Sequence, residues 1–363
     1  MQNTEFEQNK SIQSFAKKSI LITGGMGFIG SHLAKKLTEL GANVYVLDIN
    51  TSEKRDSLIN DKELGIRNKI QIINGSIADA KFMKDLFGKY SFDVIYNLAA
   101  YASTVEKALS SPSETSMVNA MGVVTILEAL RFNQRKPEVF FHGSTDKVYG
   151  ELHGDAYLEN HVLGGKGLYE SAKLAGDVFT QSHHHVFDIP TVTLRMCNIF
   201  GPYDMNLNRL IPRSLCAIYS KDKPMPPILY SGSSNHSRDY LYIDDLINCI
   251  LLLSAKPACR GEVFNAISCA HKSTPDMIAQ LIKVAQSVEF QHNCVRAKQI
   301  EKNGVLVQKA EQSDKIVTIT RQHLNSTKLY AAIGYSPKFS LEAGLTETVQ
   351  FYRKKLRKTK TYR

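Results

Sequence analysis

From Ser19 onward, short apolar runs alternate with helix-length amphipathic stretches. The runs at 20–23, 44–48, 70–74, 94–98, 139–144 and 191–196 are apolar or β-branched at nearly every position, the pattern of strands buried on both faces. Between them, segments such as 30–40, 113–132 and 169–186 carry apolar residues at helical spacing. Strands and helices in this order predict an α/β fold, a doubly wound parallel sheet covered by helices on both faces.

Beyond residue 197 the rhythm breaks. Gly201-Pro202, Lys223-Pro224 and Pro226-Pro227 interrupt it, and the later apolar runs are short. One helix there, 243–254, is apolar enough to return to the main core. The chain therefore divides into a sheet domain of 18–197 plus about 238–256 and a smaller lobe of about 198–237 plus 257–352. A polar lead-in at 1–17 reads as flexible, and 353–363 as a basic tail.

Composition narrows the class. Hydrophobic residues are 43% and charged residues 22%, ordinary for a globular protein. No apolar stretch reaches the ~18–20 residues of a membrane span, and the first residues lack a secretory pattern. Six cysteines without CxxC spacing predict buried free thiols in a reducing, cytoplasmic setting. The net charge of +10 invites a nucleic-acid reading, but seven of the last eleven residues are basic. The rest is near balance, so a solvated basic helix end explains the charge better. The run His183–His185 falls on a predicted helix, where consecutive residues point apart, and no metal-ligand set is expected.

The first strand runs into Thr23-Gly24-Gly25-Met26-Gly27-Phe28-Ile29-Gly30. Glycines at 24, 27 and 30 permit a tight turn, close approach of a pyrophosphate and tight helix–strand packing. The helix N-terminus then offers unpaired N–H groups to phosphate. Asp48 ends the second strand, where an acid accepts hydrogen bonds from an adenosine ribose and repels a 2′-phosphate. The expectation is a Rossmann-type domain that takes NAD in preference to NADP.

Two further motifs carry chemistry. The fifth strand ends in Ser144-Thr145-Asp146-Lys147-Val148-Tyr149-Gly150, and Tyr169-Glu170-Ser171-Ala172-Lys173 follows. Tyr169 and Lys173 are four apart on one helix face, so the ammonium can lie near the phenol. A cation and the positive nicotinamide ring would lower the phenol from ~10 toward working pH. Such a phenolate accepts a proton from a sugar hydroxyl while hydride leaves for the cofactor.

With these residues in order, the chain resembles an extended short-chain dehydrogenase/reductase of the nucleotide-sugar epimerase/dehydratase kind over roughly residues 18 to 352. The likeness rests on TGGMGFIGSHL, Asn97-Leu98-Ala99-Ala100, Asn119-Ala120-Met121-Gly122, STDKVYG, YESAK, Arg195-Met196-Cys197-Asn198 and Arg238-Asp239-Tyr240. The resemblance implies NAD held through the catalytic cycle against Phe28, Ile29, Ser76, Ile77, Leu98, Ala99 and Ala100, with Tyr169 and Lys173. It implies Asn198, Arg238 and Arg209 on the substrate diphosphate, which an arginine fork suits. It also implies a homodimer through the helices at 113–132 and 169–186.

Within the family, Thr145-Asp146-Lys147 most resembles the CDP-glucose 4,6-dehydratase variant; the dTDP-sugar enzymes carry Thr-Asp-Glu. An elimination needs an acid and a base there. Oxidation at C4 acidifies the C5 proton, which Lys147 would remove while Asp146, held neutral by burial, protonates the departing C6 hydroxyl. An unperturbed lysine, at ~10.4, is almost wholly protonated at neutral pH, so this base needs help from its surroundings. Three features depart from the pattern. Ser76 stands where relatives carry Asp, the stretch 101–106 is one residue longer than in close dehydratases, and TGGMGFIG is nearer the epimerases and dTDP enzymes. Two alternatives stay open: a nucleotide-sugar epimerase, and a non-catalytic Rossmann protein that binds NAD or RNA.

Overall fold

A computed structural model describes residues 2–101, 105–220, 224–309 and 319–358. The strands in chain order are β1 (Ser19–Thr23), β2 (Asn43–Asp48), β3 (Gln71–Asn74), β4 (Val94–Asn97), β5 (Val139–Thr145), β6 (Thr191–Met196), β7 (Asn198–Phe200), β8 (Ile228–Tyr230), β9 (Ser237–Tyr242), β10 (Val263–Asn265), β11 (Ala270–Ser273) and β12 (Leu306–Gln308). Seven of them form one sheet in the order β10-β6-β5-β4-β1-β2-β3, and every pairing in it is parallel. Alternation along β1 shows why its strands are apolar throughout. Ile20 and Ile22 join one buried cluster and Leu21 the cluster on the opposite face. The order reverses between β1 and β4, which opens the ligand crevice typical of such sheets at their carboxyl ends.

The smaller lobe contains a sheet in the order β11-β9-β7 and the pair β12-β8. Two boundaries differ from the sequence expectation. Strand β10, assigned to the lobe, is the seventh strand of the main sheet, whereas β9, assigned to the sheet domain, is the centre of the lobe's sheet. Strand β10 has only three residues, and the six of β9 carry no pattern that names the neighbour they pair with. The Ile243–Ala255 helix does return to the core, with ten of its residues buried.

Both ends of the chain also differ. Gln2–Gln13, expected to be flexible, is a helix. It is tied down by Gln8, whose amide donates to the carbonyls of Ile333 and Gly334 at 3.1 Å, and is followed by Phe15, which is buried. The expected basic tail begins inside the Leu341–Lys358 helix. There Tyr352 is buried, Arg353 and Arg357 pair with the buried Glu289, and Lys354 and Lys355 pair with Glu63 and Asp56. Its cations meet acids brought from elsewhere in the fold; residues 359–363 lie outside the described residues. Of the six cysteines, all unpaired, three are buried, Cys216 and Cys269 are half-buried, and Cys294 is exposed, contrary to the expectation of six buried thiols. No helix among the described residues is long and apolar enough to cross a membrane.

Candidate active site

Every site residue named from the sequence lines a single cavity of about 920 Å³ at the carboxyl ends of the sheet strands. Its floor is the β1 turn. Gly24 takes φ +67°, and a Cβ there would sit 2.8 Å from the Ala99 backbone; a Cβ on Gly30 would lie 2.5 Å from the Gly24 carbonyl. The Phe28–Glu39 helix starts at Gly27 with neither a side-chain cap nor an acid in its first turn. Its leading N–H groups and positive dipole end are thus free to meet an anion in the cavity. The donor set and the glycine cradle fit a dinucleotide pyrophosphate.

Asp48 sits beside this floor, one oxygen accepting from Met26 N at 3.1 Å and the other from Asn50 N. Sequence reasoning missed its salt-bridge partner, Arg55, at 2.7 Å, which also lines the cavity. Ser76, in place of the family's acid, accepts from Ala78 N and faces the same space. In the predicted 113–132 helix the structure inserts a π-helical segment, Met117–Met121. Its Asn119 clamps the Tyr101 backbone at both N–H and C=O, each at 2.8 Å, on the wall of the cavity. Residues 102–104 of the stretch 101–106 lie outside the described residues.

The chemical centre is the junction of β5 with the Leu168–Phe187 helix. Thr145 ends β5 and caps the short turn Asp146–Tyr149. A buried network holds strand and helix in register. Arg195, 2% exposed, grips Asp177 through two bonds of 3.0 and 3.1 Å, and Ser144 donates to the same carboxylate at 2.7 Å. Arg195 also donates to the Tyr149 hydroxyl, which donates in turn to Asn265 on β10. None of Asp177, Tyr149 and Asn265 was singled out from the sequence, because their role depends on contacts between distant segments.

Asp146 is buried, and the Thr145 hydroxyl donates to its Oδ1 at 3.2 Å, whereas Oδ2 finds no hydrogen-bond partner among the described residues. Burial pushes its carboxyl up to about 6, against the pull of Lys147 and Arg238. The Lys147 ammonium stands 5.5 Å from the centroid of the Tyr169 ring. The Lys173 ammonium donates to the Gly143 carbonyl at 2.5 Å, and burial lowers it to about 8. The Tyr169 phenol is pushed up to about 12, by burial first, with Arg209 pulling the other way. The protein's own groups therefore raise this phenol where the sequence predicted a lowering.

The far wall belongs to the lobe. Arg238 is fixed by the carbonyls of Ser237, Ile319 and Thr320, which leaves part of its fork for a ligand. Arg209 pairs with Asp204 at 3.1 Å, and the Asn198 amide donates to the Asp239 carbonyl. Beside them lies Gln322, 1% exposed, with both amide atoms lacking partners among the described residues. It too was missed: no local pattern marks it.

A family model described as GDP-mannose 4,6 dehydratase matches residues 21–348. A human protein named dTDP-D-glucose 4,6-dehydratase is 27% identical over 93% of this chain and 91% of its own length. Among solved structures, UDP-glucuronic acid 4-epimerase from Bacillus cereus, in complex with UDP-glucuronic acid and NAD, superposes with a TM-score of 0.77 at 26% identity, over 93% of this chain and 99% of that one. The NAD complex of dTDP-glucose 4,6-dehydratase from Bacillus anthracis gives 0.74 at 24%, over 93% and 97%. Dehydratase and epimerase share this shape, so the backbone alone does not select between them.

Proposed function

The chain belongs to the GDP-mannose 4,6 dehydratase family, and from that premise we propose that it is an NAD-dependent nucleotide-sugar 4,6-dehydratase. The observation that carries the choice is Asp146, a buried carboxyl held toward its neutral form, with one oxygen unpartnered, in the same cavity as Tyr169 and Lys147. An epimerase has no use for a proton donor there.

When bound, NAD supplies the hydride acceptor at C4 and the donor that returns hydride at C6. Tyr169 would take the C4 hydroxyl proton, its acidity raised by the nicotinamide charge, and Lys173 would help to hold the cofactor. Lys147 then removes the C5 proton, and Asp146 delivers its proton to the C6 hydroxyl as water leaves. Arg238, Arg209 and Asn198 hold the diphosphate, and Phe28, Ile29, Ile77, Leu98, Ala99 and Ala100 bracket the cofactor. Asp48 favours NAD over NADP, although Arg55 offsets part of its charge. The family model is named for GDP-mannose, the dehydratase relatives for dTDP-glucose and the epimerase for UDP-glucuronic acid, and the CDP lean of Asp146-Lys147 stands apart from all of them.

A homodimer fits the same reading, because Met117, Met121, Val178 and Phe179 are exposed on the two helices that would pair. To test the function, purified protein is incubated with CDP-, dTDP-, UDP- and GDP-hexoses and the products are weighed by mass spectrometry. One of them should yield a 4-keto product lighter by one water. Stereoisomers of unchanged mass would establish the epimerase instead.

A further inference from the structure

On the face of β9 turned away from the cavity, three side chains from distant parts of the chain meet. Strand β11 pairs antiparallel with β9, placing His271 directly opposite Asp239. On the other side of β9, residues 319–324 run parallel to it: Arg321 bridges Ser237, so His323, two residues on, falls beside Asp239. Side chains alternate across a sheet. Arg238, Tyr240 and Gln322 therefore face the cavity, while His271, Asp239 and His323 form a row on the reverse.

The Asp239 side chain is wholly buried, and its Oδ1 lies 2.9 Å from Nδ1 of both His271 and His323; Oδ2 accepts from Leu324 N at 2.7 Å. The imidazoles are 32% and 36% exposed, so the row is open to water on one side. One donor atom from each residue lies within 4.8 Å of the others. A tetrahedral zinc ion, about 2.0–2.1 Å from nitrogen and oxygen ligands, needs donors about 3.3 Å apart, a small side-chain adjustment here.

We propose that Asp239, His271 and His323 form a binding site for a borderline divalent transition-metal ion, of which zinc is the type, completed by water. Two imidazoles and one carboxylate suit such an ion better than magnesium or calcium, which prefer all-oxygen shells. Without metal each Nδ1–H donates to Asp239 Oδ1; ligation through Nδ1 replaces these bonds and shifts each ring proton to Nε2. The role is structural. The ion would pin the 319–324 segment to β9, and the carbonyls of that same segment hold Arg238. The proposal is independent of the dehydratase reading, since it needs no turnover.

The test is calorimetric titration of zinc chloride into chelator-stripped full-length protein, with magnesium chloride as the control and a thermal melt of each sample. One zinc ion per chain should bind with micromolar or tighter affinity and raise the melting temperature, while magnesium does neither. His271→Ala and His323→Ala should each weaken zinc binding at least tenfold and abolish the thermal shift. Both positions are partly exposed, so the variants should still melt cooperatively without metal. Absence of zinc binding to wild type, or undiminished affinity in the double variant, overturns the site. His323→Gln serves as a second variant if the alanine protein does not fold.

Discussion

The two walls of the cavity are built in opposite ways. The wall we propose for the cofactor is mostly backbone: a glycine turn, a helix N-terminus and the ends of adjacent parallel strands, with Asp48 as its main charged group. The wall we propose for the substrate is mostly long side chains, Arg209, Arg238 and Gln322, carried on separate segments, with Arg238 held by the Ile319 and Thr320 carbonyls. A backbone wall tolerates little change and suits a partner that never varies. A side-chain wall can be re-cut residue by residue, which suits a family whose members take different sugars and bases. Between the two lies the proposed catalytic seam, where Arg195 on β6 and Ser144 on β5 both hold Asp177 of the helix that carries Tyr169.

The comparison breaks most severely at the seam. Replacing Tyr169 by Phe should suppress turnover and transient NADH alike, by up to ~10⁴-fold, because no group then accepts the hydroxyl proton. Stopped-flow absorbance checks this, and NADH formation at a wild-type rate would remove Tyr169 from the chemistry. On the substrate wall the loss should fall on binding. Arg238→Ala removes charge-assisted hydrogen bonds worth roughly 1.5–3 kcal/mol, so KM should rise about tenfold to a hundredfold with kcat much less affected. A matching fall in kcat with KM unchanged would place Arg238 in the chemical step.

The smallest effect is one of stability. Burial raises the Asp146 carboxyl from 3.8 to about 6, so between those values the folded state binds more protons than the unfolded state. Folding stability from this group therefore falls as pH rises through that window and stays low above it. Asp146→Asn should thus melt higher than wild type at pH 7, with the gap closing as pH falls toward 4. Equal melting temperatures at pH 7 would show that the carboxylate is better solvated than its burial implies.

What the sequence made legible follows the same division. The proposed cofactor wall is local, a strand, a turn and a helix in unbroken order, so spacing alone picked out Gly24, Gly27, Gly30 and Asp48, which line the cavity. Thr145, Asp146 and Lys147 were equally readable as one contiguous run. Arg55, Gln322 and the Arg195–Asp177–Tyr149 network were not, because each acts through a partner many residues away. The same reason hid the pairing of β10 with β6 and the docking of the basic C-terminal helix on Glu289. Short strands and single cations carry no periodicity that names their neighbours.

The central claim, that Asp146 and Lys147 act after oxidation, is tested most directly by single-turnover mixing of Asp146→Asn and Lys147→Met with the substrate that wild type dehydrates. Reduced cofactor should accumulate at near wild-type rates in both variants, while loss of water slows by about 10²–10⁴-fold. Dehydration at the wild-type rate in both variants would contradict the account.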